Sequence, residues 1–159
     1  MGIQKGWYCV GCEEFKDNPE NSPSYKCPIH QKNLEWKNEE NLFFRLSKYQ
    51  SNIEKIINDP SFIEPKERRN EIVNFVSKGL QDFSISRTNV SWGISVPDLK
   101  KHTFYVWFDA LLGYVSASSQ KDKTYTLDHL ANNAWPADIH LIGKDILRFH
   151  PVYWPAMLI

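Results

Sequence analysis

The sequence predicts an α/β fold assembled from three unlike stretches, and three observations carry that expectation. The C-terminal half holds two strand–turn–helix patterns in succession, which call for a partial parallel sheet with crossover helices. The middle holds two amphipathic helical patterns. The first 33 residues hold paired cysteines and a histidine at metal-ligand spacing but few aliphatics, so they need a staple to stay ordered.

Taken in order, residues 1–33 are rich in Cys, Pro, Asn and Ser and read as irregular loops and short hairpins. Residues 34–84 read as helical. Leu46, Tyr49, Ile53, Ile56 and Ile57 recur at spacings of three and four and paint one apolar stripe. Asp59-Pro60 ends that helix, because proline restricts the preceding residue and cannot continue the ladder. A second helix is expected to start at Pro65, to run through Ile72, Phe75 and Val76, and to stop at Gly79. Leu42-Phe43-Phe44 reads as a short strand. Thr103 to Phe108 is a β-branched and aromatic run that reads as a strand feeding a helix capped at Asp109. Ile139 to Ile142 repeats the pattern, with Gly143 at the turn and a helix from about Asp145. Pro151 and Pro155 predict a kink or an offset start in that last helix.

Composition bounds the function classes. Hydrophobic residues make up 42% and aromatics 14%, enough to bury a core, so disorder of the whole chain is excluded. Nineteen basic and nineteen acidic residues cancel, so binding nucleic acid mainly through backbone phosphates finds no support in net charge. No stretch approaches the roughly 18 uninterrupted apolar residues of a membrane span. Met1 to Gly6 shows neither a signal region nor an amphipathic transit arm, which predicts a soluble cytoplasmic chain, with an organellar stroma or matrix as the alternative.

Three cysteines, an odd number, argue against a closed disulfide framework. Cys9-Val-Gly-Cys12 and Cys27-Pro-Ile-His30 each place two intervening residues between ligands, so that a tight turn can aim both side chains at one ion. Three thiolates and an imidazole complete a tetrahedral zinc shell at about 2.0–2.3 Å per ligand, with no position left for water, which predicts a structural site. Gly11 is expected to relieve crowding in the first knuckle. Two plainer readings stay open on the residues alone: a Cys9/Cys12 redox pair, or cysteines that are simply buried.

Ligands of open α/β sheets sit outside the carboxyl ends of strands. Trp107, Asp109 and Tyr114 follow the first predicted strand, and Gly143, Asp145 and His150 follow the second. Trp107 and Tyr114 could wall an apolar ligand, with His150 and the Tyr114 hydroxyl discriminating. Gly143 would admit close backbone approach, and Asp145 could accept from hydroxyls such as those of a ribose. The bland alternatives are core packing for Trp107, Tyr114 and His150 and a helix cap for Asp145.

Five blocks then carry a resemblance. They are Tyr-Cys-Val-Gly-Cys at 8–12, Glu-Asn-Leu-Phe-Phe-Arg-Leu-Ser-Lys-Tyr at 40–49, Ile-Ser-Arg at 85–87, and Tyr-Val-Trp-Phe-Asp-Ala-Leu-x-Gly-Tyr at 105–114. The fifth is His-Leu-Ile-Gly-Lys-Asp-Ile-Leu-Arg-Phe-His-x-Val-Tyr-Trp-Pro-Ala-Met-Leu at 140–158. In that order they resemble methionyl-tRNA synthetase, a class I aminoacyl-tRNA synthetase, over nearly the whole chain. The resemblance implies a zinc-knuckle connective insertion over 1–40, a helical return segment over 41–84, and over 85–159 the second half of a Rossmann-like catalytic domain, truncated.

The family joins methionine to ATP, bound with magnesium, as methionyl-adenylate and passes methionine to initiator or elongator tRNA. The resemblance implies a methionine pocket lined by Trp107, Ala110, Leu111, Tyr114, Ile146 and His150, with Trp154 a mobile aromatic behind it. Tyr114 and His150 would stand near the thioether, and Gly143 and Asp145 would face the adenylate ribose. Arg87 lies in a catalytic-domain motif without an assigned role. Leu111 and Ser95 depart from the proline and glutamate that some members carry there. The single Cys₃His set resembles the one-knuckle bacterial and organellar type.

The family's His-Ile-Gly-His and Lys-Met-Ser-Lys-Ser signatures do not occur in the chain. They stabilise the phosphate transition state, so the chain alone is expected to lack aminoacylation, with its missing halves as possible partners. The competing expectations are a stand-alone zinc-containing module that binds tRNA or a protein, and a metal-stapled structural domain without a ligand.

Overall fold

The computed structural model describes residues 1–12, 14–16, 21–88, 90, 92–118 and 135–159. The chain forms two units: Met1–Phe43 with Ser84–Phe104, and Phe44–Phe83 with Tyr105–Ile159.

In the first unit, β1 (Gly2–Cys9) is the central strand of an antiparallel sheet, between β2 (Glu14–Lys16) and β3 (Glu35–Asn41). β1 and β3 pair without interruption from Gly2↔Asn41 to Tyr8↔Glu35. Trp7 lies opposite Trp36, and their rings meet edge-on at 5.4 Å, a favourable aromatic geometry. The strand β3, Glu-Trp-Lys-Asn-Glu-Glu-Asn, corrects the expectation of helix from residue 34 onward. Its residues have little β-propensity of their own, and pairing along the full length of β1 overrides that preference.

Two-residue strands β4 (Phe43–Phe44) and β5 (Phe83–Ser84) lie where the chain passes from one unit to the other. β6 (Ser86–Arg87) pairs antiparallel with β7 (Thr103–Phe104). Beside this ladder, Ser84, Ser86, Arg87 and His102 are all buried. Arg87 donates to the Ser84 hydroxyl at 2.9 Å and to the Ser86 carbonyl at 3.0 Å, and the Ser86 hydroxyl meets His102 Nδ1 at 3.0 Å. The Ser84 and Ser86 hydroxyls, His102 Nδ1 and one Arg87 terminal nitrogen are thereby paired, as a low-dielectric interior demands.

The second unit is helical. A 3₁₀ turn at Leu46–Tyr49 runs into α1 (Gln50–Asn58), which packs with α2 (Lys66–Val76). The apolar stripe is placed as its spacing predicts: Leu46, Ile53 and Ile57 are buried together with Ile72, Val76 and Leu80. α1 stops at Asp59, whose carboxylate accepts from the Ser61 amide and hydroxyl, and Arg69 donates to the carbonyls of Ile57 and Asn58. Pro65 precedes the first helical residue of α2, and Gly79 takes a positive φ of 89° past its end, where a side chain would be strained. Gln50 spans the helix pair, donating to the Val76 carbonyl at 3.0 Å and accepting from the Leu80 amide at 2.7 Å.

Of the two strands predicted in this half, one is cut short to Thr103–Phe104 and the other is not found. After β7 the chain enters α3 (Val106–Ser118), so Val106-Trp107-Phe108 form its first turn. The β-branched and aromatic run also carries a helical period, with Trp107, Ala110, Leu111 and Tyr114 at i, i+3, i+4 and i+7, and that period prevails. Residues 139–142 carry no assigned strand. Ile139 is 82% exposed and Leu141 98%, while His140 and Ile142 are half-buried, so a two-residue alternation survives without a ladder.

The sheets of the described residues are small, and β1–β2, β1–β3 and β6–β7 are antiparallel. The expected parallel sheet does not appear among these residues, which is the main correction to the predicted fold; the mixed α/β class stands. A 3₁₀ helix at Lys144–Phe149, a turn at His150–Val152 and α4 (Tyr153–Leu158) complete the unit. The break falls at Pro151, and Pro155 lies in the first turn of α4, where a missing amide costs little. No helix among the described residues is long and apolar enough to cross a membrane.

Candidate metal centre and ring cluster

Cys9 closes β1, Cys12 lies in the turn that follows, and Cys27 and His30 come from a second turn closed by hydrogen bonds from Cys27 to Lys32 and from Gln31 to Cys27. The Cys12 and Cys27 sulfurs lie 3.6 Å apart, and His30 Nδ1 lies 3.8, 3.2 and 3.9 Å from the sulfurs of Cys9, Cys12 and Cys27. All four donor atoms fall within 4.8 Å of one another. Ligands at zinc distances on a regular tetrahedron stand roughly 3.5–3.8 Å apart, so the donor set fits such a metal. Cys9 and Cys27 are buried with Leu34, flanked by Trp7 and Tyr25.

Gly11 has a steric role more specific than expected. A Cβ there would lie 2.8 Å from His30 Cδ2, so the imidazole seats directly on the glycine. The His30 backbone amide, with lesser donors, holds the Cys27 thiol down at about 6. Burial, helped by the Cys27 and Cys9 thiols, pushes Cys12 up to about 11. Cys27 is therefore more readily ionised than Cys12.

The second candidate site lies on α3, the 3₁₀ helix and α4. His150 Nδ1 is 3.0 Å from the Ile146 carbonyl, and His150 Nε2 is 2.7 Å from the Tyr114 hydroxyl. A carbonyl only accepts, so Nδ1 carries the proton; in the neutral ring Nε2 is then the acceptor and Tyr114 donates to it. Trp154 is buried, with its ring 6.0 Å from Tyr114, and its indole Nε1 has no hydrogen-bond partner among the described residues.

The structure thus brings Tyr114, Ile146, His150 and Trp154 together. Trp107 stacks on Phe149 at 4.5 Å and 19°. Leu111 is buried, whereas Ala110, Gly143 and Asp145 are exposed, with Gly143 capping the 3₁₀ helix and Asp145 in its first turn. A residue missed from sequence stands among the rings. His140 meets Tyr114 edge-on at 4.7 Å and 71°, and its ring lies 6.0 Å from His150. Burial, and then the neighbouring His150, hold the His140 imidazole below its ordinary value. The alternation of residues 139–142 was the available signal.

An antiparallel sheet carrying a Cys₃His cluster able to hold a metal, joined in sequence to a helical unit with a histidine–tyrosine ring cluster, makes a mixed α/β segment of the class I synthetase kind, and the matching family model is that of tRNA synthetases class I (M), over residues 3–159. The chain belongs to this methionyl class I tRNA synthetase family. It is 59% identical over its full length to the methionine–tRNA ligase of Nostoc sp., covering 30% of that protein, and 54% identical over 97% of its length to the chloroplastic/mitochondrial methionine–tRNA ligase of Arabidopsis thaliana, covering 25%. A solved Mycobacterium tuberculosis methionyl-tRNA synthetase bound by methionyl-adenylate matches 99% of the chain with a TM-score of 0.84 at 42% identity, over 31% of its own length. The chain therefore spans about 30% of the length of the curated relatives it matches most fully.

Proposed function

We propose that the chain carries the amino-acid side of a methionine–tRNA ligase site and a structural zinc knuckle. The observation that carries the pocket reading is the Tyr114–His150 hydrogen bond at 2.7 Å beside Ile146 and Trp154, in a chain similar to a synthetase solved with methionyl-adenylate. A thioether sulfur is a weak acceptor that favours aromatic neighbours at about 5 Å. A cluster of aromatic rings suits it.

Trp107, Ala110, Leu111 and Tyr114 supply one wall from α3, and Ile146, His150 and Trp154 supply the other. His150, held through Nδ1 on the Ile146 carbonyl, orients the Tyr114 hydroxyl, so the unbranched methionine side chain meets one directed polar group in apolar surroundings. Gly143, at the exposed start of the 3₁₀ helix, gives the ribose close access to backbone, and Asp145 accepts from its hydroxyls. Activation joins the methionine carboxylate to the α-phosphate of ATP with release of pyrophosphate. The residues named here bind and orient methionine and the ribose, and the groups that act on the phosphates are not among them.

In this reading residues 1–40 are the connective insertion, 41–84 the helical return, and 85–159 the second part of a Rossmann-like catalytic domain whose parallel neighbours lie in other parts of the longer protein. ATP with magnesium and the methionine-accepting tRNAs are then partners of that longer protein, with the cytoplasm or an organelle's stroma or matrix as its place. Zinc on Cys9, Cys12, Cys27 and His30 would hold the two turns together and take no part in the reaction.

Calorimetric titration of this chain with methionine tests the pocket. Binding is expected for the parent, with a roughly tenfold weaker Kd in Y114F and H150A, the size of one lost hydrogen bond. No pyrophosphate exchange is expected from the chain alone. Absence of methionine binding in the parent, or equal binding in all three proteins, would overturn the reading.

A further inference from the structure

We infer that His140 is a positioning residue for the Tyr114–His150 pair: its ring, packed crosswise on the Tyr114 ring, fixes the angle at which the Tyr114 hydroxyl meets His150 Nε2. Tyr114 is 37% exposed on a helix that ends four residues later, so the helix backbone alone leaves its ring free to turn. Three rings bound it within 6.0 Å, and His140 is the nearest, at 4.7 Å against 5.6 Å for His150 and 6.0 Å for Trp154. The edge-to-face arrangement at 71° is the one in which a ring's positive edge meets another's negative face.

The direction of His140 is set by the segment that carries it. Ile139 and Leu141 face solvent, whereas His140 and Ile142 turn inward, and Ile142 packs on the core formed by α1, α2 and α4. Ile142 anchors the segment two residues away, and the extended period of two then aims His140 the same way. Depressed basicity keeps the imidazole neutral beside His150, so the contact brings no second charge into the cluster. His140, Tyr114 and His150 make a relay in which the first ring holds the second and the second donates to the third.

The role in ligand recognition rests on the proposed methionine pocket; the positioning itself does not. The test uses this chain labelled with ¹⁵N-histidine, where long-range proton–nitrogen spectra show which His150 nitrogen carries the proton. In the parent, Nδ1 is expected protonated and Nε2 bare, and Y114F serves as the control that removes the donor. H140Q keeps polarity and loses the ring, so the His150 Nε2 shift should move towards its Y114F value while Nδ1 stays protonated on the Ile146 carbonyl, with methionine Kd about tenfold weaker. H140F keeps the ring edge and should retain both parental values.

A His150 pattern in H140Q identical to that of the parent overturns the inference, as does an H140F variant that loses as much as H140Q. If H140Q does not fold, H140F against H140L makes the same comparison of aromatic edge with aliphatic bulk. A parent that shows the expected His150 pattern but binds no methionine ends the pocket reading while leaving the positioning role to the spectra.

Discussion

Gly11→Ala is the sharpest test of the metal centre, because one methyl group meets one ligand. The added Cβ would stand 2.8 Å from His30 Cδ2, 2.9 Å from Cγ and 3.1 Å from Nε2. Carbon atoms favour separations of about 3.5 Å or more, so the ring must retreat by roughly 0.7 Å. Metal–ligand distances tolerate only about 0.2 Å. Gly11 is not among the glycines with positive φ, which are Gly79 and Gly93, so alanine brings no backbone penalty of that kind and the contact alone is probed. A misaimed histidine ligand typically costs about 10–100-fold in metal affinity, or about 1.4–2.8 kcal/mol at 1.4 per decade. Competition for zinc against a chromophoric chelator measures it, with H30A marking the limit of complete ligand loss. A G11A protein that holds zinc within about twofold of the parent would show that the imidazole is not seated on the glycine as a ligand, and the reasoning would fall.

Three further outcomes follow from the same geometry. Stripping the metal with a chelator should loosen the cluster of Cys9, Cys27 and Leu34 and shift the emission of the adjacent Trp7, while helix content measured by circular dichroism holds, since the helices of the second unit have their own core. Ile72→Ala should cost about 2–5 kcal/mol in urea melts, because Ile72 is fully buried against α1 and its cavity cannot easily collapse. Asp82 accepts from the Ser47 hydroxyl at 2.6 Å and its amide at 3.1 Å, and chiefly that hydroxyl holds its carboxyl below the usual range. The stabilisation is then present above the unfolded aspartate value and is lost as pH falls through the lower folded value; melts of D82N should lie below the parent near pH 7 and converge with it in acid, and a pH-independent gap would contradict the assignment.

The Cys₃His cluster was legible because knuckle spacing is a local property: two residues between donors define a turn whatever surrounds it. The helices α1 and α2 were legible for the same reason, with Ile53 and Ile57 on one stripe and Pro60 and Gly79 as stops. The strand β3 was not, since Glu35–Asn41 becomes extended only through its ladder with β1, an interaction that its own residues do not encode. At 103–108 a β-branched and aromatic run overlaps a helical period that continues to Tyr114, and only Thr103–Phe104 remain extended.

The segment 139–142 shows a subtler miss. Its alternation is real, but a strand exists through hydrogen bonds to a neighbour, and none of the described residues supplies one. Tyr114 and His150 stand out at the expected strand ends before the family resemblance adds to them, whereas the direction of their shared proton needs the Ile146 carbonyl in place. His140 went unnoticed because a half-buried histidine between two aliphatics leaves no mark in composition.

The carboxamide of Gln50 behaves like a detached peptide group, offering its N–H to the chain at Val76 and its oxygen to the chain at Leu80. The first residue of one helix thereby holds the exit of the next. Opening at either point exposes donors and acceptors at both, so the beginning of α1 and the end of α2 should come undone together. Amide exchange at Leu80 would then report on a residue thirty positions earlier, and Gln50→Ala would turn one shared opening into two independent ones.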